Sequence, residues 1–189
     1  MTTSKYTTSD YLTTDEIHRL IRYFNKLGNH RMELLIEFGV KTLLRYSDLS
    51  RIRWVDVLGK DSLILNEQKT NKRREVSLGK SIRESIETTY KQLEKPNEED
   101  LIFSYSIQYV NRILKESGKD VKIRNKNIST HSFRKSGSRL IWEWNGHSDE
   151  YLIKLSSILN HSSTSITRRY LGISKEEIKN IYQSFDELM

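Results

Sequence analysis

Hydrophobic periodicity changes once along this chain, and that change limits what it can fold into. On both sides of a window from Trp54 to Leu78, apolar residues recur at helical spacing; inside it they come as three short runs, VDVL, SLILN and REVSL. GKD and the basic run KTNKRR separate these runs, so the window reads as a small three-stranded antiparallel sheet inside a helical protein. Before it, Thr13 or Thr14 can cap a helix with Asp15 and Glu16 in its first turn and Ile17, Leu20, Ile21 and Phe24 on one face. A second helix is expected from about Asn29 to Leu44, and a short third begins near Ser47 or Asp48. After the window, Ile82, Ile86 and Leu93 restore the helical period until Pro96, the one proline, opens the acidic loop PNEED. Helices are then expected over roughly 105–117, 131–145, 149–159 and 163–169. A last amphipathic helix, over roughly 174–185, is built on Ile178, Ile181, Tyr182 and Phe185. The expected class is α+β: mostly α, with a small three-stranded antiparallel sheet.

At 189 residues the chain can bury one sizeable core, expected over residues 12–189 after a flexible lead-in over 1–11. A net charge of +7 and a pI near 9.5 suit a polyanionic partner, although only the placement of charge can decide this. The absence of cysteine excludes disulfides, thiolate nucleophiles and cysteine-type zinc sites, and fits a reducing cytoplasm. No apolar run is long enough to span a bilayer, and the polar start MTTSKYTTSDYL is no secretory signal. A soluble cytoplasmic protein with no membrane partner is the expectation.

Two motifs carry chemistry. In HSFR, at 131–134, the i, i+3 spacing puts His131 and Arg134 on one helical face beside a helix N-terminus, where both can reach one phosphate. Downstream, in LNHSSTSITRRYLG, His161 and Tyr170 lie nine positions apart, with Arg168 and Arg169 directly before the tyrosine. Taken alone, either motif has a plain reading: a capping histidine with a surface arginine, and a half-buried tyrosine. Together, HSFR, LNHSS and RRY resemble the C-terminal motifs of the tyrosine recombinase and integrase family. The resemblance extends upstream, where TLLRYSDLSRIRW is similar to the family's arginine box with Arg45 in place, and Lys69 follows 24 positions later in EQKTNKRREVSL. It covers about Leu12 to Phe185.

The resemblance implies the tyrosine recombinase catalytic fold and an active-site set of Arg45, Lys69, His131, Arg134, His161 and Tyr170. A phosphodiester under attack needs its nonbridging oxygens held, and the planar, permanently charged guanidiniums of Arg45 and Arg134 suit that task. A tyrosine phenol, with a reference pKa near 10, must lose its proton as it attacks, and His131 is the nearest base. In the family the lysine matching Lys69 protonates the 5′ oxygen that leaves, and His161 would donate to a nonbridging oxygen. The phosphotyrosine link conserves the energy of the broken bond, so neither ATP nor metal is required and no cofactor is expected. The implied activity is integration, excision or inversion of DNA through a covalent 3′-phosphotyrosine. The alternatives are a related DNA-nicking or resolving enzyme, or an idle DNA-binding regulator with the same fold.

The implied partner is double-stranded DNA at paired recombination sites. It would be held by a homotetramer whose terminal helices are exchanged through Ile178, Ile181 and Phe185. Lys72, Arg73, Arg74, Arg168 and Arg169 are the expected phosphate contacts. Trp142 and Trp144 are expected to pack rather than stack on bases, and no short ligand spacing links His131, His147 and His161 into a zinc site. Three departures stand out: Leu43 and Asn160 replace family glycines, and Asp48 replaces a glutamate. At the first two, glycine tolerates conformations that other residues avoid, so backbone geometry near Arg45 and His161 is the expected point of divergence. Most relatives also carry an N-terminal helical domain that clamps DNA, and none is visible before Leu12. A piece of a longer integrase is therefore expected, rather than a short stand-alone invertase.

Overall fold

Capping residues set where the helices start. In the computed structural model, which describes residues 8–123 and 126–188 except the side chains of 174–177 and 185–188, Thr13 and Glu16 form a reciprocal cap. The Thr13 hydroxyl accepts from the Glu16 N–H, and the Glu16 carboxylate takes the Thr13 N–H at 2.8 Å. Helix α1 (Thr14–Lys26) follows and packs Leu20 and Phe24 against α2 (His30–Thr42). A short α3 (Tyr46–Leu49) precedes the sheet, and α4 (Lys80–Gln92) and α5 (Ile107–Asp120) follow it. Phe38 meets Phe103 edge-on at 6.0 Å and Trp54 lies against Tyr90, so aromatic contacts tie the helices to the segments between them.

The sheet has two strands among the described residues, not the three expected. β1 (Ser62–Asn66) pairs antiparallel with β2 (Arg73–Ser77), Leu63 opposite Val76 on the buried face and Leu65 opposite Arg74. The VDVL run does not join them. Its start forms a single 3₁₀ turn, Trp54–Asp56, because Asp56 accepts from the Arg53 N–H at 2.9 Å. The N–H groups of Trp54 and Val55 are taken by the carbonyls of Asp100 and Glu98 in the acidic loop. The N–H groups of Asp56, Val57 and Leu58 turn back to the Arg53 and Trp54 carbonyls, so the run has no N–H left to donate to β1.

Helix α6 (Thr130–Trp144) carries the HSFR motif and runs through the division between the two compact units, residues up to Gly137 and residues from Ser138. Of the lead-in expected over 1–11, residues 1–7 lie outside those described. Residues 9–12 dock at the start of α6: Ser9 and Ser129 hydroxyls lie 2.6 Å apart, Lys135 donates to the Ser9 carbonyl, and the Leu12 N–H donates to Ser136 Oγ at 2.7 Å. Gly39 and Gly137 let α2 and α6 approach closely. A Cβ on Gly137 would lie 2.0 Å from the Val40 carbonyl oxygen, and one on Gly39 would lie 3.1 Å from Phe133 Cβ.

The second unit holds the rest of α6 with α7 (Asp149–Leu159), α8 (Thr164–Leu171) and α9 (Ile173–Leu188). Ser148 and Ser163 cap α7 and α8, and Leu152, Leu155, Leu159, Leu171 and Ile173 are buried there. Trp142 is buried with its ring 4.3 Å from that of His147, as expected for packing. Trp144 is 90% exposed, against expectation, because it ends α6 where the chain turns away. On α9, Ile178, Ile181 and Tyr182 are exposed, and the Phe185 side chain lies outside those described. No described helix is long and apolar enough to cross a membrane.

Candidate active site

The end of α2 is where the first unit gathers its cations. Leu43 closes the helix at φ 56°, ψ 26°, in the left-handed region. The backbone therefore keeps the conformation a glycine would adopt, and the divergence expected there does not occur. Placing a Cβ in that region costs about 1–2 kcal/mol. The buried Leu43 side chain offsets part of that by packing beside Gly137, where an added Cβ would come within 2.6 Å of it. The last helical carbonyls lack intrahelical donors. Arg74 Nη2 donates to the Thr42 carbonyl at 2.9 Å and Arg134 Nη1 to the Leu43 carbonyl at 2.6 Å.

Two residues on, Arg45 precedes α3 and donates through Nη1 to Glu67 Oε2 at 3.1 Å. The Glu67 side chain is only 2% exposed. It also accepts from Arg74 Nη1 at 3.1 Å and from the Thr70 hydroxyl at 2.9 Å. Burial raises the Glu67 pKa, but the Thr70 and Arg74 hydrogen bonds and the nearby Arg45 charge outweigh it and bring the value down to about 2. Asp48, the departure from the family glutamate, accepts from the Gln68 N–H at 2.8 Å. Lys69 stands exposed on the turn between β1 and β2, and Lys72 and Arg73 beyond it are exposed as well. Arg74 is turned inward to Glu67 and Thr42.

Ser129 starts the HSFR helix as the sequence implies, accepting from the His131 N–H at 3.2 Å while its own N–H donates to Ser132 Oγ at 3.1 Å. Arg134 is 3% exposed. His131 is exposed, yet partial desolvation lowers its pKa, with Arg134, Arg45, Lys69 and Lys135 adding to the shift. A neutral imidazole among four cations is a proton acceptor at neutral pH. Arg45, Lys69 and Arg134 are thus each within electrostatic reach of His131 in the first unit.

In the second unit Asn160 ends α7 at φ 56°, ψ 46°, again the glycine-like conformation, which asparagine tolerates better than leucine. The His161 N–H then donates to the Ser156 carbonyl at 2.9 Å. The His161 ring is held through Nδ1, 2.9 Å from Thr167 Oγ1, and Thr167 donates to Ser156 Oγ at 3.1 Å. His161 meets Tyr170 edge-on, ring centroids 5.2 Å apart, so the histidine and the candidate nucleophile form one local group. Arg168 pairs with Asp149 at 3.3 Å, and Arg169 is exposed.

Residues 10–177 match the Phage integrase family. The chain belongs to that family. It is 30% identical over 167 residues to the probable integrase/recombinase YoeC of Bacillus subtilis, covering 85% of this chain and 87% of that protein. It is 28% identical to the tyrosine recombinase XerD of Staphylococcus aureus, covering 93% of this chain and 62% of XerD. Its fold matches the XerH site-specific recombinase bound to palindromic difH substrate in a post-cleavage complex. That match has TM-score 0.69 and 20% identity over 95% of this chain and 54% of that one. The chain is thus a tyrosine-type recombinase/integrase catalytic domain.

Local pattern does not single out Glu67 or Arg139, and it places Arg74 outward as a phosphate contact where the structure turns it inward. Glu67 was one acid beside a basic run, Arg74 one cation among several, and Arg139 an unremarkable helical residue. Arg139 is 7% exposed and donates to the Leu171 carbonyl at 3.0 Å and to Glu143 at 2.6 Å, so it caps the helix that carries Tyr170. The ladder register could have flagged Arg74, which sits opposite Leu65. Among the described residues, no group of three or more His, Asp or Glu side chains is placed to hold a metal ion.

Proposed function

We propose that the domain cuts and rejoins DNA at specific paired sites through a 3′-phosphotyrosine on Tyr170. The observation that carries this reading is the pair of inward-held arginines in the unit of the HSFR motif, Arg45 on Glu67 and Arg134 on the Leu43 carbonyl. Arg45 and Arg134 clamp the nonbridging oxygens, and His131 accepts the phenol proton. Lys69 protonates the leaving 5′ oxygen, and His161 donates a hydrogen bond to a nonbridging oxygen. One bond forms, from Tyr170 Oη to phosphorus, and one breaks, from phosphorus to the 5′ oxygen. Attack by a 5′ hydroxyl of a second strand reverses both, so no cofactor takes part. Lys72, Arg73 and Arg169, all exposed, supply phosphate contacts, with Arg168 and Arg74 as secondary contributors that already hold internal partners.

The partner is double-stranded DNA held by a tetramer of this chain. The exposed Ile178, Ile181 and Tyr182 of α9 are the surface for helix exchange. Residues 12–189 act as the catalytic domain, in the cytoplasm, a setting consistent with the lack of cysteine. The test uses nicked suicide duplexes with randomised flanks around one fixed junction. Wild type should form an adduct that survives denaturation, and Tyr170→Phe should form none. Equal adduct from both, or none from wild type, would overturn the reading.

A further inference from the structure

The first unit contains one buried group that touches both the clamp arginine and the turn of the lysine. Glu67 takes a hydrogen bond from Arg45 on one side and from Thr70, directly after Lys69, on the other. The turn's own shape is closed by the backbone. The Glu67 N–H donates to the Lys72 carbonyl at 2.9 Å and the Asn71 N–H to the Glu67 carbonyl at 2.8 Å. Those bonds do not fix where the turn lies relative to Arg45. That task falls to side chains, namely the Glu67 carboxylate and Asp48, which holds the Gln68 N–H. Residues 67, 68 and 70 are therefore anchored, while Lys69 between them stays exposed.

Charge explains why a second arginine is present. A buried carboxylate facing Arg45 alone would neutralise the guanidinium that has to meet a phosphate. Arg74 occupies the other oxygen, Oε1, so two arginines share one negative charge and the trio stays net positive. Arg45 is held without being cancelled.

We propose that Glu67 is a positioning residue that sets the register between Arg45 and Lys69, so that the clamp and the proton donor address the same phosphate. The inference rests on the reading of Lys69 as the donor to the leaving 5′ oxygen. It adds a requirement that reading does not contain: the donor is delivered through Glu67 and Thr70.

The test compares single-turnover adduct formation on two randomised-flank suicide duplexes that differ only in the bridging 5′ atom at the junction, oxygen or sulfur. A thiolate leaves without being protonated, so a fault in presenting Lys69 disappears with sulfur, whereas a fault in clamping the phosphate does not. Thr70→Val keeps every charge and removes only the tie to the turn. It should slow the oxygen substrate about tenfold and leave the sulfur substrate at the wild-type rate. Glu67→Gln disturbs both neighbours and should slow the oxygen substrate about a hundredfold, with sulfur restoring only part of the loss. A thermal melt shows that each variant is folded, and Thr70→Val carries the test should Glu67→Gln fail to fold. Equal slowing of Thr70→Val on both substrates, or no slowing at all, would overturn the assignment. If Lys69→Ala is rescued by sulfur while Thr70→Val and Glu67→Gln are not, the reaction scheme stands and the Glu67 role falls. If wild type makes no adduct with either duplex, the scheme itself falls and takes this inference with it.

Discussion

The two units hold their reactive groups in different ways. In the first, the arginines are fixed by buried polar partners: Arg134 on the Leu43 carbonyl, Arg45 and Arg74 on Glu67. In the second, His161 is aimed by two neutral hydroxyls, and Tyr170 rides on a helix whose end Arg139 caps. On the proposed chemistry, the difference follows from what each half has to do. A guanidinium that receives a phosphate is charged at all times and needs a partner that fixes it without consuming its charge. A phenol is neutral until it attacks, and a fixed counter-charge beside it would only shift its proton. Clamping therefore calls for buried polar anchors that leave the guanidinium its charge, whereas the nucleophile needs only orientation.

The sharpest way to break this contrast is to remove a clamp. Arg134→Ala should slow adduct formation at least about a hundredfold, a loss of about 3–4 kcal/mol in transition-state binding. Thr167→Val, which loosens the His161 ring, should cost far less in the same single-turnover assay. A comparable loss from both would show that orientation and clamping matter equally.

Packing gives the next test. Gly137→Ala drives a Cβ onto the Val40 carbonyl and should cost about 3 kcal/mol in denaturant unfolding. In Gly172→Ala the nearest atom lies 4.0 Å away, so only the strain of φ 80° remains, about 1 kcal/mol. Acid sharpens the contrast further. Glu67 is held down to about 2, so its contribution to stability, about 3 kcal/mol, is full above pH about 4.5 and is lost as pH falls through about 2. In Glu67→Gln that acid-dependent part of the unfolding curve should disappear. The smallest effect concerns His131. With its pKa below the usual 6.5, the acid limb of the cleavage rate should fall below that pH, and His131→Gln should remove the limb.

Element boundaries were legible wherever a side chain signals them locally, as Thr13 with Glu16, Ser148 and Ser163 do. The catalytic candidates were legible because His131 with Arg134, and His161 with Tyr170, occupy fixed spacings on recognisable motifs. VDVL misled because a short apolar run carries no information on who takes its N–H groups, and here the acidic loop does. Leu43 and Asn160 were marked as departures, yet the chain keeps the left-handed backbone at both. The surroundings, with Gly137 beside Leu43, make room for a side chain that glycine would not have needed. Glu67, Arg139 and the inward turn of Arg74 were invisible for another reason. Their value lies in which distant carbonyl or charge they meet, and nothing in the local pattern distinguishes a buried arginine from a solvated one.

The central proposal is that Tyr170 takes the DNA covalently. Mass spectrometry of the proteolysed wild-type adduct tests it most directly. The account predicts a nucleotide 3′-phosphate on the peptide containing Tyr170, with a free 5′ hydroxyl on the released strand. A nucleotide on any other tyrosine, or a 5′-phosphate linkage, would contradict it.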